Sequence, residues 1–164
     1  MSIVSSNYIQ LHTIRYKINK QSETKKEEFE YLLLKRNNLT KIYPNIWQVI
    51  TGTIEKNETA IQTAIREMKE ETGLVPLKFW ILPYLAKFYE RYSDSVQLSP
   101  TFIALVADDK VSLSIEHVEY SWLNQIDCIN LLTLASHKEA TELIPDFMAN
   151  SHNLQHFQID LSKY

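Results

Sequence analysis

The sequence predicts an α/β protein, and three observations carry that prediction. One helix, Thr59 to Thr72, is written with a cap at each end. Around it lie short runs rich in branched and aromatic residues, the composition of strands. A chain of 164 residues with no repeat, low-complexity tract or linker is the size of one ordinary domain, so residues 1–164 are expected to form a single domain.

Taken in order, Tyr8 to Ile18 alternates loosely and reads as a strand, followed by a charged surface connection from Gln21 to Glu28. Phe29 to Lys35 holds Tyr31-Leu32-Leu33-Leu34, a short apolar run suited to a buried strand. Asn37 to Pro44 reads as a loop and Trp47 to Thr51 as a brief strand. In the helix, Ile61, Ala64, Ile65 and Met68 recur at the helical period. Thr59 and Gln62 form a capping box at its start, and Gly73 stands just past its end. Leu77 to Tyr89 and Pro100 to Ala107 are strand-like, with a turn at Asp108-Asp109-Lys110. Val111, Leu113 and Ile115 alternate as one further strand, and Val118, Tyr120 and Trp122 as another. Ser136 and Glu139 make a second capping box, opening a helix that Pro145 should kink or end.

Composition narrows the function. Hydrophobic residues make up 45% of the chain and charged residues 23%, which is the balance of a globular protein. No apolar run approaches the ~20 residues a membrane span needs. Met1 to Leu11 lacks the basic-then-apolar order of a secretory signal, and Cys128, the one cysteine, has no internal partner. Together these suit a reducing cytoplasm, with Cys128 buried in a helix. A net charge of −3 gives no bulk attraction for DNA, so phosphate must be held locally or through a metal.

Glu67, Glu70 and Glu71 stand at i, i+3 and i+4, which places their carboxylates on one helix face. Like charges this close raise one another's pKa and cost stability unless a cation relieves them. Hard oxygen donors suit Mg²⁺ or Mn²⁺, ions that also bind substrate phosphates. A solvated Glu-rich helix face would explain the five residues Glu67 to Glu71 equally well, so the decision rests on the wider spacing. From Gly52, five residues lead to Glu58, seven more to Arg66-Glu67, then Met68, Lys69, Glu70-Glu71, Thr72, Gly73 and Leu74. Seven fixed residues at about 6–7% each match by chance on the order of once in 10⁶ such chains.

This spacing resembles the Nudix box, G-x5-E-x7-R-E-U-x-E-E-x-G-U with U aliphatic, at every defined position. The resemblance implies a Nudix-like α/β/α sandwich with a mixed sheet, a catalytic loop–helix–loop, and Mg²⁺- or Mn²⁺-dependent cleavage of a phosphoanhydride. It casts Glu70 and Glu71 as the main metal ligands, Glu67 as a ligand or the general base, and the Gly52 carbonyl as a further ligand. Glu58 and Arg66 become a pair that braces the helix against its loop, a role a plain surface ion pair would also fit. Many members carry Gly-Gly where this chain has Thr51-Gly52, and Gly where it has Asn57. Asparagine tolerates positive φ, so the loop can still turn.

Similarity extends beyond the box. Leu32-Leu33-Leu34-Lys35-Arg36, Trp47-Gln48, and Glu116-His117-Val118-Glu119-Tyr120 with Trp122-Leu123 resemble the branch of dATP pyrophosphohydrolases and dihydroneopterin triphosphate pyrophosphatases. That implies a small nucleotide or pterin triphosphate as substrate, with nucleotide sugars, dinucleoside polyphosphates and a non-catalytic sensing module as alternatives. A homodimer is left open, and no DNA or membrane partner is expected. Lys35 and Arg36 are candidates to grip phosphates, or a solvated strand end. Trp47 and Gln48 are candidates for the base, though a lone Trp beside a strand also suits a core. Tyr89, Arg91 and Tyr92 are placed in a cleft-edge loop. His117 reads as a surface histidine. Glu116, at a strand junction, is a further metal ligand or base, or else a solvated turn acid; Glu119, one step into the strand, should face solvent.

Overall fold

The computed structural model describes residues 3–17, 28–107 and 110–164. The expected connection at Gln21 to Glu28 and the turn at Asp108-Asp109 lie largely outside these residues. Strands β1 (Ile3–Ser5), β2 (Tyr8–Tyr16), β3 (Phe29–Arg36), β4 (Trp47–Gln48) and β5 (Ile50–Thr53) precede helix α1 (Ala60–Thr72). Then come β6 (Lys78–Glu90), β7 (Ser95–Leu105), β8 (His117–Leu123), α2 (Gln125–Leu131), α3 (Ala135–Ala149), α4 (Ser151–His156) and a 3₁₀ turn at Leu161–Lys163.

Among the described residues the strands form one mixed sheet. β7 runs parallel to β1 and β2, while β2–β3, β2–β5, β3–β4, β3–β8 and β6–β7 are antiparallel. Strand β2 is central and buried on both faces, which is why its sequence alternates only loosely. On one face Ile9, Leu11, Leu32, Leu34, Ile50 and Phe102 pack against Ala64 and Met68 of α1. On the other, Ile14, Tyr31, Leu33, Trp80 and Ile103 pack against Cys128 of α2 and Ala140, Ile144 and Phe147 of α3. The molecule is therefore an α/β/α sandwich, as expected, and Cys128 is buried in a helix.

Helix α1 keeps the ends its sequence specifies. The Thr59 hydroxyl and the Gln62 side chain complete the capping box, and Gly73 takes φ 71° to close the other end. Asn57 adopts φ 69°, filling the turn position where glycine is common in the family.

Four expectations need correction. The brief strand at Trp47 to Thr51 is split in two at Val49. Val111, Leu113 and Ile115 form no strand: Ser112 N–H donates to the Thr72 carbonyl (2.8 Å) and Ser114 N–H to that of Glu71 (3.2 Å), so this backbone closes the end of α1 instead. Ser136 and Glu139 cap nothing; Leu134 precedes α3 without a side-chain cap, and the Glu139 carboxylate accepts from the Tyr84 hydroxyl at 2.6 Å. Finally, α3 continues through Pro145 to Ala149. Proline has no N–H to give to the Thr141 carbonyl, and Gln125 Nε2 supplies that bond at 3.2 Å from α2.

Candidate functional site

One guanidinium organises the start of the site. Arg66 Nε and Nη2 each donate to the Glu58 carboxylate at 2.9 Å, while Nη1 donates to Glu67 at 2.7 Å and to Glu70 at 3.1 Å. Nη2 also reaches the Thr53 carbonyl at 3.2 Å, tying helix, loop acid and β5 together. The Arg66 hydrogen bonds hold the Glu58 carboxyl down at about 2, against the opposing effect of burial. Glu58 and Arg66 are thus a braced, bidentate pair, a geometry stronger than a plain surface ion pair.

Gly52 is required by close approach. A Cβ there would lie 2.2 Å from Glu67 Cγ and 2.6 Å from both Cδ and Oε1. Glu67 therefore lies directly against the backbone of β5. Burial raises its carboxyl above the usual range, with Arg66 pulling the other way and Glu70 and Glu116 adding to the rise. Glu70 is the outermost of the three, with its side chain 58% exposed.

Glu71 is the buried member, 5% exposed, and its Oε2 has no hydrogen-bond partner. Burial first, then the charges of Glu67 and Glu116, push its carboxyl well above the ordinary value, while Arg36 opposes the shift. An orphaned buried carboxylate oxygen amid three other acids is a place that needs a cation. Among the described residues no three acid or histidine groups already converge as a closed metal cage, since Arg66 holds Glu67 and Glu70.

Glu116 is exposed at the turn before β8. Its carbonyl accepts from Asn37 N–H at 2.8 Å, and the Asn37 amide donates to the Ile115 carbonyl at 3.2 Å. With Ser112 and Ser114 bound to the end of α1, the whole 112–116 segment is stitched to the box helix and to the end of β3. This explains how Glu116 comes close enough for its charge to raise both Glu67 and Glu71.

The remaining candidates separate. Lys35 and Arg36 point to opposite sheet faces, as strand neighbours must. Lys35 is engaged by Glu119 at 3.3 Å and lies 5.7 Å from the Trp47 ring. The Arg36 main-chain N–H donates to the Ile46 carbonyl at 2.9 Å, while its side-chain Nε is buried without a hydrogen-bond partner among the described residues, and its charge reaches Glu71. Trp47 is half-buried and packs on the core beneath α2 and α3. Gln48 is buried, and its Nε2 lies 3.3 Å from His117 Nε2. His117 is not a surface residue: it is buried, and burial followed by the Arg36 charge lowers its pKa to about 4. Tyr89, Arg91 and Tyr92 are at the β6–β7 hairpin, where the Arg91 guanidinium stacks 4.8 Å from the Tyr92 ring. Glu119 faces solvent, as expected.

Sequence reasoning missed Asn37, Ser112 and Ser114. Their contributions are a side-chain amide and backbone donors, which no residue pattern announces.

A helix that gathers acids against a glycine-bearing strand, with another acid brought over them by a loop, defines a centre for phosphoanhydride chemistry. The chain belongs to the NUDIX domain family, whose description matches residues 21–147. It is similar to dihydroneopterin triphosphate diphosphatase of Escherichia coli strain K12, 28% identical over 114 residues, which are 60% of this chain and 74% of that protein. Its fold is that of an Ap4A hydrolase from C. elegans, with a TM-score of 0.70, 22% identity, and coverage of 88% of this chain and 98% of that one. It is likewise that of the NUDIX domain of Shewanella oneidensis NrtR complexed with ADP ribose, with a TM-score of 0.68, 16% identity, and coverage of 90% and 89%. The protein is a Nudix hydrolase acting on phosphoanhydride bonds. Among the described residues no helix is long and apolar enough to cross a membrane.

Proposed function

We propose that the 164 residues act as one catalytic domain, a Mg²⁺- or Mn²⁺-dependent pyrophosphohydrolase that converts a (deoxy)nucleoside or pterin triphosphate to the monophosphate and pyrophosphate. The observation that carries the reading is a pair of oppositely charged atoms at the buried end of the site that have no hydrogen-bond partner among the described residues, Glu71 Oε2 and Arg36 Nε. One asks for a cation and the other for an anion. A metal-bound phosphate chain supplies both.

Glu67, Glu70, Glu71, Glu116 and the Gly52 carbonyl would hold the metal. When bound, such an ion polarises phosphoryl oxygens, acidifies a coordinated water and offsets developing negative charge. Arg36 donates to a phosphate oxygen and orients the chain. Arg66 holds the Glu67 and Glu70 carboxylates in place from one nitrogen, Nη1. Glu116, exposed and free of side-chain hydrogen bonds, accepts the proton of the attacking water. The water oxygen bonds to phosphorus, the bridging P–O bond breaks, and pyrophosphate leaves. Trp47, half-buried beside Lys35 on the sheet face that carries α2 and α3, is the remaining candidate for contact with the base or pteridine ring.

The triphosphate preference is supported by the similarity to dihydroneopterin triphosphate diphosphatase. A panel of nucleoside and pterin triphosphates, dinucleoside polyphosphates and nucleotide sugars, with product identification, tests it. Monophosphate plus pyrophosphate, abolished by chelator, is the expected outcome. Orthophosphate with a diphosphate, or a strong preference for a sugar nucleotide or dinucleotide, would overturn the substrate class. No turnover of any of them with metal present would favour a sensing module.

A further inference from the structure

The two segments flanking the box in sequence similarity, Trp47-Gln48 and Glu116-His117, lie on strands at opposite sides of β3. Leu34 of β3 pairs with Gln48 of β4, and Arg36 pairs with His117 of β8. Yet the Gln48 amide and the His117 imidazole meet at 3.3 Å, on the sheet face that carries α1 and across 69 positions of sequence. Both are buried, at 3% and 4% exposure, in a layer otherwise filled by apolar side chains. A buried polar pair across a strand is costly to leave half-made, so it fixes the relative position of what it joins.

What it joins to β4 is the residue after Glu116. Among the described residues the Glu116 carboxylate has no hydrogen bond of its own. Its main chain is held by Asn37 on one side, and on the other by His117, whose N–H donates to the Ser114 carbonyl at 3.2 Å. His117 Nδ1 is buried with no hydrogen-bond partner among the described residues, so the contact with Gln48 is the one side-chain hydrogen bond found for this ring there.

We infer that Gln48 and His117 form a latch whose task is to hold the Glu116 turn over the box carboxylates, so that both are positioning residues rather than substrate contacts. The inference rests on the role proposed above for Glu116. It reassigns Gln48, whose amide is turned to His117 and buried, away from the base-contacting role that its place beside Trp47 suggests.

The test combines kinetics with hydrogen exchange. Gln48→Met and His117→Leu break the latch while filling its volume, and His117→Gln restores an acceptor to the Gln48 amide. Each is measured alone and in a Glu116→Gln background, and amide exchange is followed over residues 112–118 and over α1. The latch-breaking variants should lower kcat by about tenfold with little change in KM, as expected when a catalytic group is misplaced by a fraction of an ångström. Exchange should quicken over 112–118 while α1 stays protected, and His117→Gln should recover most of the rate. In the Glu116→Gln background the latch-breaking variants should cost nothing further.

Losses of equal size in both backgrounds, or a loss confined to KM, would overturn the latch. Unchanged exchange over 112–118 in Gln48→Met would do the same. Normal turnover by Glu116→Gln alone would instead overturn the proposed role of Glu116. The exchange measurement, which needs no activity, then decides the latch by itself.

Discussion

Replacing Gly52 by Ala should inactivate the enzyme and leave it folded. Gly52 has no positive φ, so alanine meets no backbone penalty there. The difficulty is the added Cβ, which would lie 2.2 Å from Glu67 Cγ when ordinary contact begins at 3.4 Å. Glu67 must then withdraw by roughly 1 Å, because the atoms it meets belong to a side chain and the strand is fixed by its pairing with β2. Its carboxylate is also held by Arg66 at 2.7 Å, so the retreat disturbs the guanidinium that spaces the other acids. A displacement of about 1 Å at a catalytic group costs about 10²-fold in rate. The folding penalty should be no more than ~1–3 kcal/mol, the usual cost of one surplus methyl group. Pyrophosphate release measured beside thermal unfolding separates the two effects. A Gly52→Ala enzyme with wild-type kcat/KM would refute the close packing of Glu67 on β5 as a condition of catalysis.

Glu71→Gln should remove most turnover, yet it should stabilise the chelator-treated protein as pH rises. The folded-state carboxyl of Glu71 lies well above its ordinary 4.5, so the folded state holds this proton more tightly than the unfolded one. Wild-type stability therefore falls as pH climbs from 4.5 towards the raised folded value, and the variant should lack that part of the decline. Melting curves from about pH 4 to 8 in chelator check the sign, and parallel curves for the two proteins would contradict it. Glu116→Gln should cut kcat by about 10²-fold, the usual loss for a general base, while Glu119→Gln changes little because its pair with Lys35 is exposed. Equal, near-normal rates for both would leave Glu67 as the base and confine the catalytic acids to the box.

What could be read from the sequence was what depends on near neighbours. The box helix follows from its own period and caps, and the Glu58–Arg66 brace spans one loop and two helical turns. The misreadings share another cause. Val111, Leu113 and Ile115 alternate like a strand, but their backbone is claimed by carbonyls at the end of α1, some forty residues away in sequence. Pro145 should break a helix, and does not because Gln125 on a different helix replaces the missing donor. His117 looked like a surface residue beside a charged turn, and its partner lies 69 positions away. Lys35 and Arg36 are adjacent in sequence, yet Lys35 is engaged by Glu119 while the charge of Arg36 reaches Glu71. Each of these outcomes was settled by a hydrogen bond or strand register outside the reach of local pattern.

The same separation explains how so acidic a site can fold. Glu58 and Arg66 form an ion pair strong enough to stay ionised at any ordinary pH, and the one arm of Arg66 left over from Glu58, Nη1, is shared between Glu67 and Glu70. Those three acids thus share one cation within the protein, which offsets only part of their charge. Glu71 lies beyond Arg66's reach and is answered only at a distance by Arg36. Without metal, burial and the neighbouring acids make this carboxyl hold a proton more tightly than a free one. A metal bound there would compete with that proton, so affinity should rise with pH. The fold in this way leaves one acid of the box unsatisfied, and that acid is the one with no partner but the metal to satisfy it.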